Sequence, residues 1–173
     1  IELYNQGVPS NLSTHSANAN LIGYYKMGDG TLDAAPLIAD QTNATLGSEL
    51  VTQPLNLSSN FQNNGGGIIV DNDTFTTAGG SLDGISSNSS FLVTGKTYKL
   101  IITGNTTSSG FTIGNQVLSG NEYATGFGTH YFVASGDRLW IRQQTAGTTN
   151  ITSFSIKQVN GNPALMQNTP TIV

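Results

Sequence analysis

Apolar and β-branched runs alternate with turn-forming clusters from residue 66 onward, at intervals of roughly 8 to 12 residues. The clusters are rich in Gly, Asn, Ser, Thr and Asp, which favour tight turns. This pattern predicts the short antiparallel strands of a β-sandwich or barrel. The predicted strands cover residues 67–70, 74–77, 90–93, 97–103, 110–114, 130–134, 138–144 and 150–159.

Several of these runs alternate with a period of two, so each should bury one face and expose the other. The residues that share the predicted buried faces are Tyr98, Leu100, Ile102, Phe111, Ile113, Phe154 and Ile156. In the run RLWIRQQ, Leu139 and Ile141 fall on one face and Trp140 on the other. With the aliphatic pair inward, the only Trp is expected to point outward.

The fold class that fits these patterns is all-β, an antiparallel β-sandwich resembling a jelly roll or a carbohydrate-binding module. The sandwich is predicted over residues 47–160, preceded by an extended N-terminal arm or linker at 1–46 and followed by a tail at 161–173. Within the arm, IELYNQG is interpreted as the last turn of a helix that Gly7 stops.

The arm also contains one apolar run, LIGYYKMGDG, in an otherwise polar stretch. A strand at residues 21–27 would place bulky side chains on both of its faces. A single hairpin is not stable alone, so this strand must lie on the sandwich or on a partner. The residues predicted to dock on another subunit are Leu21, Ile22, Tyr24 and Tyr25.

Composition narrows the range of partners. Ser, Thr and Asn make up about a third of the 173 residues, well above ordinary usage. Only 9% of residues are charged, the formal net charge is -4, and the six basic residues are scattered along the sequence. Because binding to nucleic acid needs a basic patch, no nucleic-acid partner is expected. No apolar run is long enough for membrane insertion, and without Cys there is no disulfide or thiolate metal site.

The outward face of RLWIRQQ is the first candidate binding site. Trp140 would offer a flat ring to a sugar, and Arg142 and Gln144 could bond its hydroxyls. The alternative is that another subunit or the N-terminal arm covers Trp140, since aromatic and Arg residues are also enriched in protein interfaces.

A second group of aromatic residues lies in and after the predicted loop GNEYATGFGTHY. Tyr123, Phe127 and Tyr131 are candidates for contact with a receptor or host-surface glycan. A strand-capping role for the same rings is an equal alternative.

Catalytic, cofactor and metal sites are not predicted. His15 and His130 have no nucleophile motif nearby, and the carboxylates cannot be paired across strands from spacing alone. The sequence DND at residues 71–73 offers oxygen ligands for Ca²⁺, but no EF-hand loop follows. A turn into the strand at 74–77 is the favoured interpretation.

At the family level, NLSTHSANANLIGYYKMGDGTLDAAPLIADQTNATLGSEL resembles a segment that recurs in large structural proteins of marine bacteriophages. In those proteins an aromatic pair, a basic residue and MGDG follow a polar linker. IELYNQGVP resembles the end of a preceding concanavalin-like (laminin-G-like) domain, Leu50 to Val159 resembles the jelly-roll modules that follow, and NGNPALM recurs near their ends. The chain holds no complete concanavalin-like domain, so that domain's glycan site cannot be carried over.

The resemblance implies a component of the virion surface, such as a tail fibre, a head fibre or a capsid decoration, and places no catalytic residue here. The first hypothesis is therefore a non-enzymatic structural and attachment module that forms homo-oligomers and contacts other virion subunits and host glycan. The second is an extracellular filament subunit, assembled by strand addition through residues 21–27. The third is a secreted carbohydrate-binding module that uses Trp140.

Overall fold

The structure of the chain is a computed structural model, which describes residues 45–80, 83–115 and 122–161 and four two-residue strands outside these ranges. The chain divides into two compact units. The larger unit is Gly47–Gln158, and the smaller unit comprises Ile1–Leu46 and Val159–Val173.

The described part of the smaller unit contains two antiparallel strand pairs. Strand β1 (Tyr4–Asn5) pairs with β2 (Val8–Pro9), and β3 (Leu37–Ile38) pairs with β15 (Ala164–Leu165). The prediction that IELYNQG ends a helix is therefore wrong. Tyr4 and Asn5 are extended and pair with Pro9 and Val8 instead.

The described residues of the larger unit, with the residue that borders it at each end, form eleven strands and one helical turn. They are β4 (Leu46–Glu49), α1 (Leu57–Asn60), β5 (Phe61–Asn64), β6 (Ile68–Ile69), β7 (Thr74–Thr77), β8 (Gly84–Ser87), β9 (Thr97–Thr106), β10 (Phe111–Gly114), β11 (Glu122–Thr125), β12 (Gly128–Val133), β13 (Trp140–Gln143) and β14 (Gly147–Val159). The turn α1 is capped by Asn56, whose side-chain oxygen accepts from Ser59 N at 3.3 Å.

The strands form two antiparallel sheets. The five-stranded sheet has the order β11-β10-β13-β8-β5, and the six-stranded sheet has the order β12-β9-β14-β7-β6, with β4 also paired to β14. From β7 to β14 the chain crosses repeatedly between the sheets, so that β7, β14, β9 and β12 face β8, β13, β10 and β11. This connectivity is that of a jelly roll, and the predicted all-β sandwich is confirmed.

The core lies between the two sheets and follows the predicted alternation. All seven residues predicted to share the buried faces are no more than 1% exposed. Phe61 from one sheet meets Phe154 from the other edge to face, with ring centroids 5.6 Å apart, an arrangement that aromatic pairs prefer.

Two strand predictions need correction. Residues 90–93 are not a strand, although Leu92 is buried, because Phe91 N and Leu92 N donate to the carbonyl of Asp137 at 3.1 and 3.0 Å and anchor a loop. Conversely, the pattern missed the polar strands β5, β8 and β11, whose sequences FQNN, GISS and EYAT carry few apolar residues. Their neighbours in the sheet supply the pairing that their own composition does not favour.

The chain enters and leaves the jelly roll at neighbouring positions. Strand β4 pairs with β14, Leu50 N donates to Ile156 O at 3.1 Å, and Ile156 N donates to Glu49 Oε1 at 2.8 Å. In the smaller unit, Asn160 N likewise donates to Thr45 O at 2.9 Å. The segments on either side of the jelly roll therefore run next to each other.

Candidate functional site

Trp140 lies in β13, the central strand of the five-stranded sheet. The flanking Leu139 and Ile141 are fully buried in the core, as predicted, and strand alternation puts the Trp140 ring on the opposite face. Trp140 is nevertheless only 3% exposed, so the prediction of an exposed platform is wrong. Alternation decides which face of a sheet a side chain occupies, but it does not reveal what covers that face.

A small charged cluster surrounds the ring. Arg142 Cζ lies 5.6 Å from the centre of the Trp140 ring, and Arg142 Nη2 lies 3.7 Å from Glu122 Oε1. Gly114 is opposite both Trp140 and Glu122 in the strand register. Because Gly114 has no side chain, the Arg142–Glu122 pair can span β10.

The cluster is packed and does not form an open ligand platform. Trp140 Nε1 is buried and has no hydrogen-bond partner within the described part of the chain. Gln144 lies beyond the end of β13, where its side chain is exposed and its backbone N donates to Gly110 O at 2.9 Å. The three residues of the first predicted site therefore do not share one accessible surface.

The second predicted group divides between two faces. Residues 122–133 contain β11, which pairs with β10 in the five-stranded sheet, and β12, which pairs with β9 in the six-stranded sheet. The sequence predicts only a strand at 130–134 here, after a loop, so β11 and the start of β12 were not predicted. Tyr123 stacks on Phe132 with centroids 4.2 Å apart, and Phe127 meets Phe111 edge to face at 4.8 Å. Both rings pack against the core, which agrees with the strand-capping alternative. Tyr131 lies on the other side of β12, on the outer face of the six-stranded sheet.

The groups considered for catalysis and metal binding have structural partners. His130 lies 3.1 Å, through Nε2, from the carbonyl of Gly126. In DND, Asp71 Oδ1 accepts from Asp73 N at 3.1 Å, and Asp73 Oδ1 accepts from Asn150 Nδ2 at 2.8 Å. The hydrogen bond from Asp73 N lowers the pKa of the Asp71 carboxyl. Among the described residues there is no group of three or more His, Asp or Glu side chains that could hold a metal ion.

A row of three residues that sequence reasoning did not assemble lies on the outer face of the six-stranded sheet. Tyr131, Lys99 and Lys157 are direct cross-strand partners in β12, β9 and β14. Lys99 Nζ lies 5.8 Å from the centre of the Tyr131 ring. The alternation in β9 and β14 already placed both lysines on outward faces, but only the sheet order shows that they are neighbours.

The predicted docking residues lie outside the described residues. These are Leu21, Ile22, Tyr24 and Tyr25, and the same holds for His15.

Comparisons with known protein families, with curated proteins and with solved structures found no match to this chain. Within the described residues the helical element is α1, a single turn, and no helix is long and apolar enough to cross a membrane.

Proposed function

We propose that this chain is a non-enzymatic structural and attachment module of a bacteriophage virion, displayed on the particle surface as part of a tail fibre, a head fibre or a capsid decoration. The sequence resemblance to structural proteins of marine bacteriophages supports the virion setting. In this setting the chain assembles with copies of itself and with other virion subunits, and its jelly roll faces the host.

The observation that carries the display role is the pairing of β4 with β14. Leu50 N donates to Ile156 O at 3.1 Å, so the chain returns to its starting point after 105 intervening residues of jelly roll. A domain whose two ends are adjacent can be inserted into another protein without disrupting its fold. This geometry suits a domain that is presented outward.

The alternative of a filament joined by donor strands is less well supported. In donor-strand assembly, an incoming strand completes a sheet that lacks one. Here the strands from β7 to β14 supply both four-stranded layers of the jelly roll from one chain. An added strand would therefore extend an edge rather than fill a gap.

The test begins with purified phage particles. Quantitative mass spectrometry should find this chain in fixed ratio to the major capsid protein, with high copy number for a decoration and small multiples of three for a fibre. Its absence from washed particles would overturn the proposal.

A second experiment separates attachment from assembly. Residues 51–155 are replaced by a short Gly-Ser linker, which the adjacent ends should accommodate. If the jelly roll serves attachment, particles form in normal yield but adsorb poorly to host cells. A loss of particles would assign it to assembly, and normal yield with normal adsorption would contradict both roles.

A further inference from the structure

The six-stranded sheet has an uneven distribution of charge. The chain as a whole carries a net charge of -4, yet strands β6, β7, β9, β12 and β14 contain no Asp or Glu. They do contain Lys99 and Lys157, which are two of the six Lys and Arg residues in the chain. The sixth strand of this sheet, β4, contributes Glu49, so the six strands together contain one carboxylate and two lysines.

The two lysines are direct cross-strand neighbours. Lys99 and Lys157 are register partners in β9 and β14, and such partners project from the same face with Cβ atoms roughly 5 Å apart. Like charges in this position destabilise a sheet. Within the described residues, no carboxylate lies within ion-pair distance of either ammonium group. This arrangement is unfavourable for the protein alone but favourable for binding an anion.

The carboxylate held by β4 is already engaged. Glu49 Oε2 accepts from Ser155 Oγ at 2.6 Å, and Glu49 Oε1 accepts from Ile156 N at 2.8 Å and Leu50 N at 3.2 Å. Glu49 therefore anchors the start of the jelly roll to β14 and is not a direct partner of Lys157.

The surroundings of the lysines are rich in hydroxyl groups, and the nearby Glu49 carboxylate is bound to Ser155 Oγ and to the backbone of β14. Lys99 extends toward the Tyr131 ring, 5.8 Å from its centre, and both side chains are half-buried. In the next rows, Thr129 and Ser155 flank Ile101, and Thr103 Oγ1 lies 3.1 Å from Thr152 Oγ1. Hydroxyl groups suit the hydroxyls of a sugar, while paired ammonium groups suit an acidic group on it.

We propose that the row Tyr131–Lys99–Lys157 binds an acidic polysaccharide, with its anionic groups held between Lys99 and Lys157. This inference rests on the proposed display function and names the ligand class of the attachment module. It moves the glycan site from the packed Trp140 cluster to the opposite sheet. Because the ion pairs are exposed, each contributes modestly and weakens with salt, so the site gains strength from repeats along the polymer.

The experiment uses the complete 173-residue chain and measures its retardation in native gels that contain sodium polygalacturonate, dextran sulfate or neutral dextran. The wild-type chain should be retarded by at least one of the acidic polymers at low ionic strength and not by dextran. Comparison of the two acidic gels shows whether carboxylate or sulfate is preferred. Equal migration in all gels would overturn the proposal.

Three variants assign the binding to the row. Lys99→Gln and Lys157→Gln should each weaken binding roughly fivefold, and the double variant more than either. Lys96→Gln removes the same charge from the turn that precedes β9 and should leave binding within about twofold. An equal loss in Lys96→Gln would show general attraction to the chain and overturn the proposed site.

A competing occupant is the acidic segment that contains Asp29, Asp33 and Asp40, contributed by a second copy of the chain. Analytical ultracentrifugation of the double lysine variant tests this occupant. An unchanged oligomeric state is expected if polysaccharide is the ligand. If the oligomer dissociates and polymer binding is unchanged, the lysines bind a second copy of the chain and not a polysaccharide. These measurements use no phage particles, so a negative result would overturn the polysaccharide site without bearing on the virion assignment, which the mass spectrometry of particles tests.

Discussion

The Gln143 side chain joins the two sheets through the core, with its amide 2.5 Å from Thr77 Oγ1. Gln143 is 1% exposed and lies in the five-stranded sheet, whereas Thr77 belongs to the six-stranded sheet. When Nε2 donates to Thr77 Oγ1 and to Gly147 O at 3.0 Å, Oε1 accepts from Thr149 Oγ1 at 2.6 Å and Thr149 N at 3.1 Å. Every polar atom of this buried amide is then satisfied, as buried polar groups require.

Replacement of Gln143 by Leu should destabilise the sandwich. Leu is similar in size but removes the bonds of the amide to Thr77, Thr149 and Gly147, which leaves Thr77 Oγ1 with only a 3.4 Å contact to Thr145 O and costs about 1–3 kcal/mol. Urea denaturation followed by circular dichroism measures the change in the free energy of unfolding. Gln144→Leu is the matched control, because Gln144 is exposed one position later and its replacement should change stability by no more than about 0.5 kcal/mol. Equal effects of the two variants would contradict the bridging role.

Trp140 should behave as a buried residue. It is 3% exposed and is the only Trp, so fluorescence excited selectively at Trp reports on this site alone. We expect blue-shifted emission, weak quenching by acrylamide, and a shift to the red on unfolding. Trp140→Ala should lower the free energy of unfolding by about 3–5 kcal/mol, whereas Arg142→Ala should cost less.

Native emission at the wavelength of free Trp, or a Trp140→Ala variant as stable as wild type, would show that the Trp140 ring is exposed. That result would support the hypothesis that Trp140 binds a sugar at the surface.

Acid should destabilise the protein partly through Asp83. Its carboxylate accepts from Gly66 N at 2.6 Å and Gly80 N at 2.7 Å, and the bond from Gly66 N, followed by that from Gly80 N, lowers the pKa of the carboxyl below its ordinary value of 3.8. A pKa that is lowered on folding adds stability above the unfolded pKa. This contribution is lost as the pH falls through the folded-state pKa.

The matching variant is Asp83→Asn, examined by urea denaturation at a series of pH values between about 2 and 6. It should be less stable than wild type near the upper end, and the difference should shrink toward the acid end. A difference that is the same at every pH would show that the charge of Asp83 is not responsible.

Gly84 should not tolerate a side chain. A Cβ at this position of β8 would collide with the carbonyl oxygen of Ile141 in β13. Gly84→Ala must therefore displace the neighbouring strand, which costs about 1–3 kcal/mol. Thermal denaturation should show a lower melting temperature.

Gly47→Ala is the comparison for this prediction. An added Cβ in β4 would lie 3.5 Å from Gln158 O, an ordinary contact, so stability should stay within about 0.5 kcal/mol of wild type. A large loss in Gly47→Ala, or none in Gly84→Ala, would contradict the steric explanation.

The short polar strands could not be predicted from the pattern of apolar and polar residues. Strand β8 has the sequence GISS, in which Ile85 is the only large apolar residue, yet all four positions are buried between β5 and β13. A strand that has a neighbour on each side is stabilised by both of them. Composition within four residues cannot reveal such support.

The sequence by itself determined the all-β class, the jelly-roll expectation and the inward faces of β9, β10 and β14, because alternation with a period of two is a local property of the chain. Only the tertiary structure decided that Trp140 is covered, that Tyr123 and Phe127 face the core, and that Lys99 meets Lys157. These contacts depend on which strands become neighbours. Strand order is set by the packing of the whole core, since residues distant along the chain must be brought together before their side chains can interact.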